Sequence, residues 1–397
     1  MQKKEDYQAI ERLYVPHWLI SQIQGTNFDL VDHMKSLLQQ DGRFNEVLAV
    51  ERKEIEHFKH NQVSLRSLLR TPFLMVSPTL QTVEDWRCFV EDTPTTFAVD
   101  ELRRKVPPLD SLSAQAIQYT NRRFLDLVTG LVNMSVLSAP LLGISTDLAK
   151  YLQELQPYRL RMALGRMQDL PLFRWRFNSP TFWYEFTGST LTDELIAHQI
   201  MLTSPEKTGH LPNLAGWGEL RLERAKNETF ADAMMAYECR ASTAATLFRL
   251  NQNTLRKRYF AINGTSSKMG NQPNSLSWCA DTPQNRLHAT TYTWLYRSAL
   301  AMGANAPEAL IATNDVYGKL FDTKLVSADR GVNITRAMAA DTRMAVAPCR
   351  SCGTHYLASN TETKIEMHSS FTCPACSQQL RPRRRRTQRN RKGGGDE

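Results

Sequence analysis

The sequence predicts a mainly α-helical, multidomain protein with one short β-strand in its middle third and a C-terminal four-cysteine zinc ribbon. Three observations lead there. Apolar residues recur every three to four positions along much of the chain, which is helical periodicity. One stretch, Leu172-Phe173-Arg174-Trp175-Arg176-Phe177, instead alternates apolar and basic residues, as a short strand does. Two Cys-x2-Cys pairs, Cys349/Cys352 and Cys373/Cys376, lie near the C-terminal end. At 397 residues, 42% hydrophobic and 22% charged, the chain suits two or three domains that each bury a core.

Residues 1–118 read as a helical bundle. Ile10, Leu13, Tyr14 and Trp18 open the apolar pattern, Leu30, Val31, Met34, Leu37 and Leu38 continue it, and Ile55 and Phe58 follow. Pro107-Pro108 marks a break, because proline cannot continue a helix. Residues 119–186 form a second helical unit, where Leu125, Val128, Leu131 and Val132 share a face ended by Ser138-Ala139-Pro140. Ser145 is the expected N-cap of a helix with Asp147 in its first turn, and Pro157 stands at the start of the next. Residues 187–217, with Pro205, Gly209, Pro212 and Gly216, read as a connector containing one helix. A third helical unit spans 218–345, the ribbon occupies 346–380, and the tail 381–397 is expected to be disordered.

Seven cysteines are present, and Cys88, Cys239 and Cys279 stand singly, as buried small hydrophobes do. The other four are paired. Two thiolates three residues apart on a tight knuckle approach one ion from one side, and a second knuckle closes the tetrahedron. Gly353 supplies the positive φ such a turn needs, while Tyr356 and Phe371 furnish a small core. With no open coordination position left, the expected cofactor is one structural Zn2+ held by Cys349, Cys352, Cys373 and Cys376. His355 and His368 are possible extra ligands but read as ordinary surface or packing residues. An iron–sulfur cluster uses the same ligand type, though the ribbon spacing favours zinc.

The formal charge of +9 is unevenly placed: from Ser377 onward eight Lys or Arg and two acids carry +6, leaving +3 for residues 1–376. Arg381, Arg383, Arg384, Arg385, Arg386, Arg389, Arg391 and Lys392 form a candidate arm for phosphates, onto which guanidinium groups fork. Such an arm reads no bases. The candidate reader is Glu238 to Asn263, where Ala241, Ala244, Ala245 and Phe248 share a helix face and Leu250 to Asn253 break it. Thr254 to Ile262 makes a second helix, with Asn253 or Thr254 as its expected cap. Asn251, Gln252, Asn253, Thr254, Arg256, Lys257 and Arg258 crowd its opening. A helix-turn-helix presents such residues to base edges, Asn and Gln to adenine and Arg to guanine. Helical hairpins that bind nothing share the layout.

Several sequence words follow one another in a family's order. They are Asn253-Thr254-Leu255-Arg256-Lys257-Arg258-Tyr259, a Gly/Ser/Pro-rich loop to Ser275-Leu276-Ser277-Trp278, Thr293-Trp294-Leu295-Tyr296, the two cysteine pairs and the basic run. On these, the stretch from Arg221 to Arg386 resembles the flagellar transcriptional activator FlhC. Leu142-Gly143-Ile144-Ser145, Leu148, Ala149, Leu152, Gln156-Pro157 and the run Phe173 to Ser179 are similar to words of FlhD, the partner family. Together the resemblances imply a fused, zinc-binding activator that binds double-stranded DNA at long inverted repeats and recruits RNA polymerase. They also imply a homo-oligomer formed through the FlhD-like segment. The loop between the cysteine pairs looks longer than the family's, residues 1–118 have no counterpart, and the FlhD-like segment lacks a cysteine for an intersubunit disulfide.

Other function classes find less support. No run of 18 or more apolar residues suggests a membrane span, and the opening Met1-Gln2-Lys3-Lys4 lacks an apolar signal core, so a cytoplasmic location is expected. No phosphate-binding glycine loop, nucleophile elbow or His-Glu-x-x-His helix marks an enzyme. The alternative is an RNA-binding or non-specific nucleoprotein factor that uses ribbon and tail.

Overall fold

In the computed structural model, which describes residues 10–91, 96–166, 170–205, 224–270, 275–340, 344–361, 364–366 and 370–381, the apolar periodicities become helices, with a few short strands among and after them. Helix α1 (His17–Gln40) begins after Pro16 and buries Leu19, Ile23, Leu30, Val31, Met34, Leu37 and Leu38, while Trp18 points outward. The chain continues through α2 (Asn45–Leu48), α3 (Arg52–His60), α4 (Gln62–Leu69), β1 (Val76–Pro78), α5 (Val83–Glu91) and α6 (Phe97–Lys105). Pro107-Pro108 do separate α6 from α7 (Ser111–Met134), which starts on an Asp110 cap accepting from the Ser113 amide at 2.7 Å. Short α8 (Ser138–Leu142) contains Pro140 in its first turn, so this run forms a helix rather than merely ending one. Ser145 caps α9 (Thr146–Glu154), and Pro157 opens α10 (Pro157–Arg166).

Helix α7 runs unbroken through the boundary drawn between residues 118 and 119. The expected strand, β2 (Phe173–Trp175), pairs antiparallel with β1 in the register Val76↔Trp175, Ser77↔Arg174, Pro78↔Phe173. Two buried asparagines hold this hairpin-like pair to its helices. Asn27 of α1 donates to the Phe73 carbonyl at 3.0 Å and accepts from the Met75 amide at 2.9 Å. Asn121 of α7 does the same for the other strand, with the Leu170 carbonyl at 2.9 Å and the Leu172 amide at 2.8 Å. A side-chain amide offers both donor and acceptor, so one residue satisfies a short strand's outer edge. The two N-terminal segments therefore share one core.

After α11 (Pro180–Thr187) comes α12 (Asp193–Leu202), the helix expected within the connector. It is far from a spacer: Leu195, Ile196, Ala197, His198, Gln199, Ile200 and Met201 are all buried. Near its C-terminal end the buried Arg176 guanidinium donates to the carbonyls of Ile200 (3.1 Å), Leu74 (3.3 Å) and Pro140 (3.5 Å) and to Thr203 Oγ1 (2.8 Å). Burial lowers this arginine to about 9. Gly143, at φ +69°, makes the room, since a Cβ there would sit 2.6 Å from the guanidinium carbon.

The C-terminal part comprises α13 (Arg224–Ala236), α14 (Ala241–Phe248), α15 (Gln252–Asn263), α16 (Trp278–Asp281), α17 (Pro283–Ala301), α18 (Ala306–Leu320) and α19 (Ala328–Ala340). Strands β3 (Met344–Pro348), β4 (His355–Thr361) and β5 (Lys364–Ile365) follow in one antiparallel order. The single cysteines Cys88, Cys239 and Cys279 are buried. Residues 300 apart in sequence meet where Asp315 of α18 accepts from the Val15 amide at 2.8 Å and Lys319 donates to the Val15 carbonyl at 2.7 Å. Among the described residues no helix is long and apolar enough to cross a membrane.

Glu194, in the first turn of α12, faces the buried His288 of α17 at 3.8 Å, and His288 Nδ1 meets the Tyr317 hydroxyl of α18 at 2.6 Å. The His288 imidazole beside it holds Glu194 down at about 2, below its ordinary 4.5. The folded state thus binds this proton more weakly than the unfolded chain. Its contribution to stability is complete above the ordinary carboxylate range and is lost as pH falls towards 2. Glu194→Gln is expected to lower the urea midpoint near neutral pH and to flatten its decline below pH 4.5. Circular dichroism read across that window checks this, and parallel curves for both proteins would contradict it.

Candidate metal centre and nucleic-acid face

The turn between β3 and β4 carries the first cysteine knuckle. Strand register brings Pro348 opposite His355, so the intervening residues fold back on themselves. The Cys349 amide donates to the Thr354 carbonyl at 2.9 Å, and the Gly353 amide to the Cys349 carbonyl at 2.8 Å. Gly353 takes φ +72°, the left-handed conformation expected of it. The second knuckle is pinned to the first where the Arg350 amide donates to the Phe371 carbonyl at 3.0 Å.

These turns gather the sulfurs of Cys349, Cys352, Cys373 and Cys376 within 4.8 Å of one another, with Cys352 and Cys373 at 3.8 Å. Zinc–sulfur bonds of about 2.3 Å in a tetrahedron place sulfurs roughly 3.8 Å apart. A disulfide would need about 2 Å. Backbone amides of Ser351 and Cys373 point at the Cys349 sulfur at 3.4 and 3.3 Å, and that of Cys376 at the Cys373 sulfur at 3.4 Å. Such donors favour thiolates. The hydrogen bond with Cys373 pulls Cys352 down, while that same bond and burial push Cys373 up. Burial and the charge on Cys352 push Cys376 up to about 12. Four crowded sulfurs ionise together only around a cation. The donor set, the spacing and the amides all fit a four-thiolate metal ion, and among the described residues no histidine or carboxylate joins the cluster.

The ribbon is packed onto helices rather than hung from them. The Leu357 amide donates to Thr290 Oγ1 of α17 at 3.1 Å. Arg286 of α17 pairs with Glu366 at 2.8 Å and lies over the Phe371 ring. Tyr356 is buried, and its hydroxyl meets His198 Nδ1 of α12 at 2.8 Å. A cleft of about 490 Å³ runs between α11, α12 and the knuckles, lined by Glu185, His198, Cys352, Cys376 and Arg381 among others. Arg381, the first of the basic run, stacks over Tyr184 and lies 3.8 Å from Glu185. Arg383, Arg384, Arg385, Arg386, Arg389, Arg391 and Lys392 lie outside the described residues, as does His368.

The proposed reader forms a helix pair packed on α13. Arg249 adopts φ +54° after α14, and the Leu250 amide returns to the Ala245 carbonyl at 3.0 Å, so the chain reverses at once. The cap of α15 is therefore Asn251, whose side chain accepts from the Asn253 and Thr254 amides at 2.9 and 3.1 Å. This corrects the expectation of Asn253 or Thr254. Leu255 and Tyr259 face the core. Gln252, Asn253, Thr254, Arg256 and Lys257 are exposed, whereas Arg258 turns back to Glu228 at 3.2 Å and to Asp232 on α13. Sequence reading missed Phe260, 58% exposed on the same helix as the free-facing basic pair. It also missed His198, whose neighbourhood to the metal site no local pattern announces.

Residues 222–391 match the family model described as Flagellar transcriptional activator (FlhC), a stretch that holds α13 to α19 and all four clustered cysteines. The match does not include residues 119–186, for which the FlhD resemblance rests on sequence words. No curated protein matches the chain.

Protein purified under reducing conditions is expected to hold one divalent ion per chain, measured by plasma emission spectrometry, and Cys373→Ser to lose most of it. Equal metal content in both proteins would contradict the site.

Proposed function

We propose that this protein is a zinc-stabilised, sequence-specific DNA-binding transcriptional activator of the FlhC type. The observation that carries the reading is the exposed opening of α15, with Gln252, Asn253, Arg256 and Lys257 projecting beyond an Asn251 cap, inside the stretch matched to FlhC. Major-groove readers approach by the N-terminal end of their second helix, where amide and guanidinium side chains meet base edges. Asn251 and Arg258 serve the scaffold in this scheme, one as cap and the other anchored to α13. The exposed Phe260 offers an apolar contact for a thymine methyl.

Zinc suits four thiolates in a reducing cytoplasm, where this reading places the protein, and apparent binding energies of about 10–16 kcal/mol are ample to fold a small ribbon. Arg381 and the basic run after it supply phosphate contacts that position without reading. The FlhD-like words at 119–186 support a fused architecture that assembles as a homo-oligomer on inverted repeats and recruits RNA polymerase. Residues 218–345 are then the reading part, 346–380 the zinc ribbon and 381–397 the arm. A second reading, a non-specific RNA-binding or nucleoprotein factor, draws on the +6 concentrated after residue 376.

The two separate by duplex selection followed by anisotropy titration. Replacing Arg256 and Lys257 by Ala is expected to cost about 1–3 kcal/mol per lost base contact on a selected duplex and much less on random DNA. Equal losses on both would assign these residues to phosphates. Removing residues 382–397 is expected to reduce the steepness of affinity against salt while leaving duplex preference intact. Failure to select any duplex, with tight RNA binding, would favour the second reading.

A further inference from the structure

His198 is buried, yet it belongs neither to the ribbon nor to the matched stretch. It stands midway along α12, about 150 residues before the first clustered cysteine, and α12 is buried on every side that the helical parts offer. A buried imidazole needs partners for both ring nitrogens. One, Nδ1, meets the Tyr356 hydroxyl at 2.8 Å, with the two rings 6.0 Å apart and inclined by 37°. Cys352 lines the same cleft as His198, and Cys373 together with His198 draws the Cys352 thiol down. A metal-bound thiolate accepts hydrogen bonds and donates none. The nitrogen facing Cys352 must then carry the proton, which leaves Nδ1 to accept from the Tyr356 hydroxyl. One tautomer then suits both neighbours.

We infer that His198 is a positioning residue of the metal centre, orienting the Cys352 sulfur from a helix outside the ribbon, so that α12 completes the site. The inference rests on reading the four cysteines as a metal centre. Donors behind a ligand fix its direction and tune its basicity, and the ribbon's two half-buried cysteines, Cys352 and Cys376, both line this cleft. Tyr356 joins the two levels of control. It grows from β4, next to the first knuckle, and its ring packs within 6.4 Å of Phe371, next to the second.

The test uses the full-length chain, stripped of metal under reducing conditions and titrated with Co2+, whose thiolate charge-transfer and d–d bands report ligand geometry. Zn2+ affinity is measured in parallel by competition with a chromophoric chelator. His198→Ala is expected to weaken both ions by about 10–100-fold and to shift the cobalt bands. His198→Gln, which places an amide N–H near the lost donor, is expected to restore most of the affinity. The nearly isosteric Tyr356→Phe is expected to act in the same direction by a smaller factor, and guards against a result that reflects misfolding of the alanine variant. Unchanged affinities and spectra in His198→Ala and Tyr356→Phe would overturn the inference while leaving the centre itself in place. A wild-type chain that takes up cobalt without thiolate bands would overturn the metal-centre reading, and the inference with it.

Discussion

Helix α12 is the constraint on which the rest of the structure depends. Its residues are buried almost throughout, and its polar groups leave it in three directions. Glu194 reaches His288 and, through it, Tyr317 on α18. His198 reaches Tyr356 in the ribbon, and the Ile200 carbonyl receives the buried Arg176 from the β2 side. Leaving any such group unpaired in the interior costs roughly 1–3 kcal/mol, and more for a charge. The apolar face of α12 could pack in many ways. Its buried polar bonds are satisfied together in one, which is how a short helix sets the mutual arrangement of the N-terminal core, the C-terminal helices and the ribbon.

That arrangement bears on what an ion at the cysteine cluster would do. A ribbon of some 35 residues is too small to stabilise itself by apolar burial, so its fold depends on the ion and on whatever it docks against. Here the docking surface is substantial: Thr290 and Arg286 from α17, His198 from α12, and Tyr184 beneath Arg381. Arg381, the first residue of the basic run, is also the last described residue. An ion held by the four cysteines would brace the ribbon and Arg381 together, while α15 is held separately on α13 through Arg258 and its carboxylates.

Much of this was legible in the sequence because it is local. The cysteine pairs announce their knuckles by spacing, Gly353 by its place after the first, and Ser145 and Pro157 by capping chemistry that acts within one turn. The strand at Phe173 was readable by alternation, but not its partner: β1 is short, contains Pro78 and lies nearly 100 residues away. Local signals say least where tertiary contacts decide the packing. Glycines and prolines after Ser204 suggested a connector, yet they say nothing of α12, whose lack of a polar face is itself the mark of a helix buried all round. The cap at Asn251 was displaced because Arg249 reverses the chain a residue early, a left-handed turn that arginine does not advertise. His198 and the Asp315–Val15 link join residues far apart in sequence and left no periodic trace.

The claim that α12 unites the ribbon with the helical core is tested most directly by hydrogen exchange on the full chain with and without its metal. Chelation is expected to raise exchange together in β3, β4 and the His198 half of α12, while α1 and α7 keep their protection. Loss of protection confined to the ribbon, with α12 unchanged, would contradict the account.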